Sequence, residues 1–77
     1  MILRALLIDD DDRLFEHLKE YFAPHGVELS HARDGRLGIA RVFGAEQGGF
    51  DVVLLDLTMP GMDGLEVCRR IRERSRI

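Results

Sequence analysis

The chain is poor in the residues that most often reveal compartment and partner. It has one cysteine, Cys68, and no tryptophan among 77 residues. A lone cysteine closes no internal disulfide, which excludes a disulfide-stapled secreted scaffold and fits a reducing compartment. Lysine is nearly absent: Lys19 stands beside ten arginines, and the formal net charge is −3. That balance lacks the basic face which supplies most nucleic-acid affinity. No apolar run is long enough to span a membrane, and the N-terminal one, Ile2–Ile8, is broken by Arg4 and stops at four aspartates. No linker, low-complexity tract or solenoid repeat is present. The expectation is one small cytoplasmic domain with no membrane partner, because a chain of this length has room for a single core.

What is present is an alternation of two periods. Ile2–Ile8 is a nearly continuous apolar run, typical of a strand covered on both faces. Asp11 or Asp12 then offers an N-cap, and Leu14, Phe15, Leu18 and Phe22 share one helical face. Pro24-His25-Gly26 ends that helix. Val27–Ala32 alternates like a half-buried strand. Asp34-Gly35 signals a turn, and Leu37, Ala40 and Phe43 or Gly44 suggest a second helix, weakened by Gly38 and Gly44 and closed by Gly48-Gly49. The stretch FDVVLLD brings a third strand, and Leu65, Cys68, Ile71 and Arg72 trace a third helix. The result is an α/β chain, βαβαβα, with a parallel three-stranded sheet. The alternating second strand belongs at an edge, which gives the order 2-1-3.

In such sheets the functional crevice lies beyond the carboxyl ends of the strands. Asp9 and Asp10 leave the first strand there and Asp56 leaves the third. A helix N-terminus is the ordinary reading of an aspartate run. It accounts for Asp11 and Asp12, less well for Asp9 and Asp10, and not for Asp56. Three converging carboxylates repel one another unless a counter-charge or a retained proton intervenes. The nearest basic residue in sequence, Arg13, enters the first helix. A hard divalent cation is the natural partner, and Mg2+ takes a few carboxylate oxygens while leaving positions open for phosphate. An EF-hand does not fit Asp9–Asp12, because Arg13 holds the fifth ligand position and Leu14 the one that needs glycine.

The segments LLIDDDDRL and DVVLLDLTMPGMDGLEVCRRIR together resemble the receiver domain of bacterial two-component response regulators, from about Leu3 onward. The resemblance implies a flavodoxin-like fold and phosphorylation by a histidine kinase or phosphotransfer protein. It makes Asp56 the phosphoacceptor and a Mg2+ ligand, and matches Asp9 and Asp10 to the family's acidic pair, which holds Mg2+ with Asp10 the more direct ligand of the two. The main-chain carbonyl of Thr58 then matches a further ligand beside Asp56. Pro60 keeps Met59 out of helical geometry, and Gly61 and Gly64 permit a tight loop around the site. The chemistry suits the residues, since phosphoryl transfer asks mostly for positioning and for neutralisation of developing charge. The module would receive a phosphoryl group and would not be an enzyme in the usual sense. A phosphohydrolase with an Asp nucleophile would need a general acid at position 58, where Thr stands.

A full receiver has two further strand–helix units, with a switch Ser or Thr and a Lys that have no counterpart here; Lys19 lies in the first helix. Residues 1–77 are thus expected to be a partial, truncated receiver domain. Any nucleic-acid binding would belong to an output domain beyond them. The third strand, apolar on both faces, would be left at an edge that templates pairing. The expected outcome is a homodimer with antiparallel third strands and a six-stranded sheet, 2-1-3-3′-1′-2′, or less readily an exchange of the third helix. His17, His25 and His31 lack ligand spacing and read as surface or packing residues. Cys68 reads as a small core hydrophobe, Met59 and Met62 as loop packing, and the tail from Arg69 to Arg76 as a solvated helix face.

Overall fold

A computed structural model describes residues 2–44, 49–59, 61 and 63–75. Gly48, Pro60, Met62 and Arg76, which carried expectations above, lie outside the described residues. The elements alternate as expected: β1 (Leu3–Ile8), α1 (Asp12–Phe22), β2 (Val27–Ala32), α2 (Gly35–Gly44), β3 (Val52–Leu55) and α3 (Gly64–Arg74), with a 3-10 turn at Ala23–His25 after α1. The strands form one parallel sheet in the order β2-β1-β3.

Side-chain alternation along β1 divides the core into two layers. Leu6 and Ile8 face α2 and α3, where Val42, Val67 and Ile71 meet Phe50 and Met59. Ala5 and Leu7 face α1, where Phe15, Leu18 and Phe22 lie over Leu29. Leu14, assigned to the same face by its spacing, stays 37% exposed. Asp11 is the N-cap of α1, its carboxylate accepting from Leu14 N–H at 3.0 Å. Gly26, at φ 76°, ends the turn after α1 in the left-handed region. Asp51 anchors the start of β3: its N–H donates to Arg4 O at 2.7 Å, and its Oδ2 accepts from Arg4 N–H at 2.8 Å.

Two helices present different faces from those the hydrophobic spacing suggests. In α2 the buried positions are Gly35, Gly38 and Val42, while Leu37 is 52% exposed and Ala40 is also outside. The reason is proximity: a Cβ on Gly38 would sit 2.4 Å from Ile8 Cδ1. The helix packs where it lacks a side chain, so a residue that weakens it in isolation is what lets it approach β1. In α3 the buried stripe is Gly64, Val67 and Ile71, while Leu65 is 71% exposed and Cys68 is exposed rather than core. Leu65, Cys68 and Arg72 form the neighbouring stripe. Cys68 and Arg72 line, with Ile71, Asp51, Val52, Val53 and Leu55, a groove of about 210 Å³ beside the outer edge of β3. The arginines of α3 are exposed as expected, and two of them pair: Arg69 and Arg70 bond Glu66 at 2.6 and 3.0 Å, and Arg69 also bonds Glu73.

Candidate functional site

Register builds the site. Ile8 pairs with Leu55 across β1 and β3, so the next residues, Asp9 and Asp56, emerge side by side. The backbone holds both there: Asp9 N–H donates to Ala32 O at 3.0 Å, and Asp56 N–H donates to Ile8 O at 3.0 Å. Asp9, Asp10 and Asp56 each bring a carboxylate oxygen within 4.8 Å of the others. The three acids singled out at strand ends therefore share one place, although 46 residues separate the two ends of the cluster in sequence.

Each carboxylate is held differently. Asp9 is 8% exposed, and its Oδ1 accepts from Asp11 N–H at 2.9 Å. Asp10 is exposed. Asp56 accepts twice on one oxygen: Thr58 N–H reaches its Oδ1 at 2.9 Å and Thr58 Oγ1 donates to the same atom at 2.8 Å. The backbone bond first, and the hydroxyl second, hold the Asp56 carboxyl below the usual aspartate range against a smaller opposing effect of burial. Asp56 is thus kept ionised and oriented through one oxygen.

The loop that follows is built to lie close. A Cβ on Gly64 would fall 2.5 Å from Leu57 Cα and 2.7 Å from Asp56 O, so the first turn of α3 packs directly on the backbone beside the acid. Asp63 caps that helix, its Oδ1 accepting from Glu66 N–H at 2.9 Å. Gly61 takes φ 86°, and Met59 is buried beneath the loop, as its packing role required.

The donor set fits a hard divalent cation. It consists of oxygens only, three of them carboxylate and clustered, which suits Mg2+ and does not suit a soft metal. Thr58, expected through its carbonyl, is seen here through its N–H and hydroxyl, both turned to Asp56.

The sequence did not single out those two Thr58 donors, nor two nitrogen-bearing side chains nearby. Arg33 Nε lies 3.0 Å from Asp12 Oδ1, so the helix-start acid has its own counter-ion. His31 Nε2 lies 2.7 Å from the main-chain O of Asp9. The 2-1-3 order alone would have placed the end of β2 beside Asp9, but nothing in the sequence marks His31 as reaching across. His17 and His25 are exposed, as expected.

The model of the response regulator receiver domain matches residues 5–77. ResD of Bacillus subtilis, a transcriptional regulatory protein, is 39% identical over 71 residues, covering 92% of this chain and 28% of ResD. The sensory transduction protein RegX3 of Mycolicibacterium smegmatis is 36% identical over 73 residues, which are 95% of this chain and 31% of RegX3. This chain therefore spans under a third of the length of either curated relative. Among solved structures, the Thermotoga maritima response regulator TrrA in complex with Mg2+ and BeF superposes with a TM-score of 0.84 at 37% identity, over 95% of this chain and 61% of that one. TrrA in complex with the histidine kinase ThkA gives 0.81 at 35% identity, over 96% and 61%. With the flavodoxin-like strand order and the acids at the strand ends already in place, these matches settle the family: the chain belongs to the receiver domains of two-component response regulators.

Proposed function

We propose that this chain is a phosphoacceptor module in which Asp56 takes a phosphoryl group from a histidine kinase or phosphotransfer protein, with Mg2+ held by Asp9, Asp10, Asp56 and the main-chain carbonyl of Thr58. The observation that carries this reading is the convergence of three carboxylate oxygens within 4.8 Å at the ends of β1 and β3. Bound Mg2+ would neutralise charge on the phosphoryl oxygens. The chain's own part is to present an ionised Asp56, fixed through Oδ1 by Thr58, so that one carboxylate oxygen faces the incoming phosphorus. An O–P bond forms at Asp56 as the bond from phosphorus to the donor breaks. The acyl phosphate carries nearly two negative charges where the Asp56 carboxylate carried one, beside Asp9 and Asp10, and that change is enough to move neighbouring loops. A kinase partner is supported by the ThkA–TrrA complex, and Mg2+ by the Mg2+–BeF complex of TrrA.

The test is thermal unfolding with Mg2+ and beryllofluoride. A ligand that binds only the folded state raises Tm. A rise is expected for the unsubstituted chain and none for Asp56→Ala. No rise in either would defeat the reading.

A second reading has its own observation. All four residues of β3 are half-exposed, and the groove beside them is lined by apolar side chains together with Asp51 and Arg72. Such an edge accepts another strand, and the 77-residue chain would present it to a second copy. On this reading the domain 1–77 behaves as an assembly module, and its sedimentation decides the matter.

A further inference from the structure

His31 meets the acidic site through its ring. Nε2 lies 2.7 Å from the main-chain O of Asp9. A carbonyl only accepts, so Nε2 carries the proton and donates. The imidazole lies flat on Phe15, with centroids 4.5 Å apart and planes within 12°, which fixes the direction of that N–H. The side chain is only 13% exposed, so water competes little for the bond. Nδ1 stands 3.9 Å from Asp12 Oδ1, too far for a hydrogen bond, and that oxygen is already taken by Arg33 at 3.0 Å.

We propose that His31 is a positioning residue for the acidic site: its Nε2–H, aimed by the stack on Phe15, fixes the Asp9–Asp10 peptide so that both carboxylates face Asp56. The proposal rests on the phosphoacceptor reading above. Asp9 is the first residue beyond β1: its N–H is held by Ala32 O and its Oδ1 by the Asp11 N–H, while its carbonyl is held by His31. Its carbonyl belongs to the same rigid plane as the Asp10 N–H. A donor on that carbonyl therefore sets the path of the chain into Asp10, the more exposed of the two acids. Partners that orient metal ligands from one layer out commonly change affinity by tenfold or more.

The measurement is the Mg2+ affinity, from NMR chemical-shift titration, of the unsubstituted chain, His31→Phe and His31→Gln. Phe keeps an aromatic ring on Phe15 and has no N–H, so about tenfold weaker Mg2+ binding is expected. Gln places an amide donor near the position of Nε2 and should recover most of the loss. Equal affinity in all three, or equal loss in both variants, overturns the positioning role and leaves the phosphoacceptor reading standing. An unsubstituted chain that binds no Mg2+ overturns both. A check that needs no variant is the imidazole spectrum above neutral pH. A slowly exchanging Nε2–H is expected, and a ring protonated at Nδ1 alone overturns the inference.

Discussion

At the scale of single residues, Thr58 and Asp56 carry the sharpest test. Two donors from Thr58 stabilise the charged form of Asp56, and the backbone N–H is the larger. Thr58→Val removes only the hydroxyl. The Asp56 pKa should therefore move up part of the way toward its ordinary value, while Thr58→Ser keeps it low. Because the folded value is depressed, the associated stability is present above the ordinary aspartate pKa and is lost as pH falls through the depressed one. A carboxyl-carbon NMR titration reads the shift directly, and an unchanged Asp56 in the Val variant would remove the hydroxyl from the account. The three acids were legible because acidic residues at the ends of apolar runs form a one-dimensional pattern. The Thr58 hydroxyl and the His31 ring were not, because a rotamer and a stack on a residue 16 positions away leave no such trace.

At the scale of elements, three glycines in helices separate three physical situations. A Cβ at Gly44 meets nothing within 4 Å among the described residues, so Gly44→Ala should gain up to about 1 kcal/mol of helix propensity. At Gly38 the same change drives a methyl into the fully buried Ile8. Overpacking costs about 1–3 kcal/mol, which matches or exceeds that gain, so Gly38→Ala should destabilise while leaving the Mg2+ response intact. At Gly64 the obstruction is backbone, Leu57 Cα and Asp56 O, and backbone cannot step aside as a side-chain tip can. Gly64→Ala should displace the loop and lose the Mg2+ and beryllofluoride response as well as stability. Urea unfolding with and without the ligands sorts the three, and a Gly64→Ala chain with a full response would contradict this packing. The same geometry explains why the elements were legible and two of their faces were not. Hydrophobic spacing finds large side chains, whereas α2 makes its closest approach at a glycine. In α3, Glu66 is pulled down to about 2 by hydrogen bonds from Arg69 and then Arg70. Its stabilising effect is fully present above the ordinary glutamate value, 4.5, and fades as pH falls toward about 2. These pairs are exposed, so the effect is small. Glu66→Gln should flatten the acid limb of stability in that window, and an unchanged slope would show the pairs contribute nothing in solution.

At the scale of the whole molecule, the open side of the sheet decides behaviour. Val53 and Leu55 reach the α2–α3 layer and Val52 and Leu54 the α1 layer, yet all four remain half-exposed because, among the described residues, β3 has a neighbour on one side only. The exposed Leu65 and Cys68 of α3 belong to this same side, which accounts for an apolar stripe that the helix does not bury. A two-fold axis through the middle of β3 would pair the strands antiparallel and set Asp51 of each copy opposite Asp56 of the other. Like charges placed opposite one another oppose pairing. Salt screens that repulsion and strengthens apolar burial relative to it. The 77-residue chain is therefore expected to sediment partly as a dimer at tens of micromolar, with the dimer fraction rising as salt is added. The amides of Val53 and Leu55, which point away from β1, should gain hydrogen-exchange protection in step with concentration. Binding Mg2+ at Asp56 would relieve the same repulsion and act in the salt's direction, which ties assembly to the acidic site. Monomer alone at low and high salt would refute pairing through β3 and leave the phosphoacceptor reading untouched.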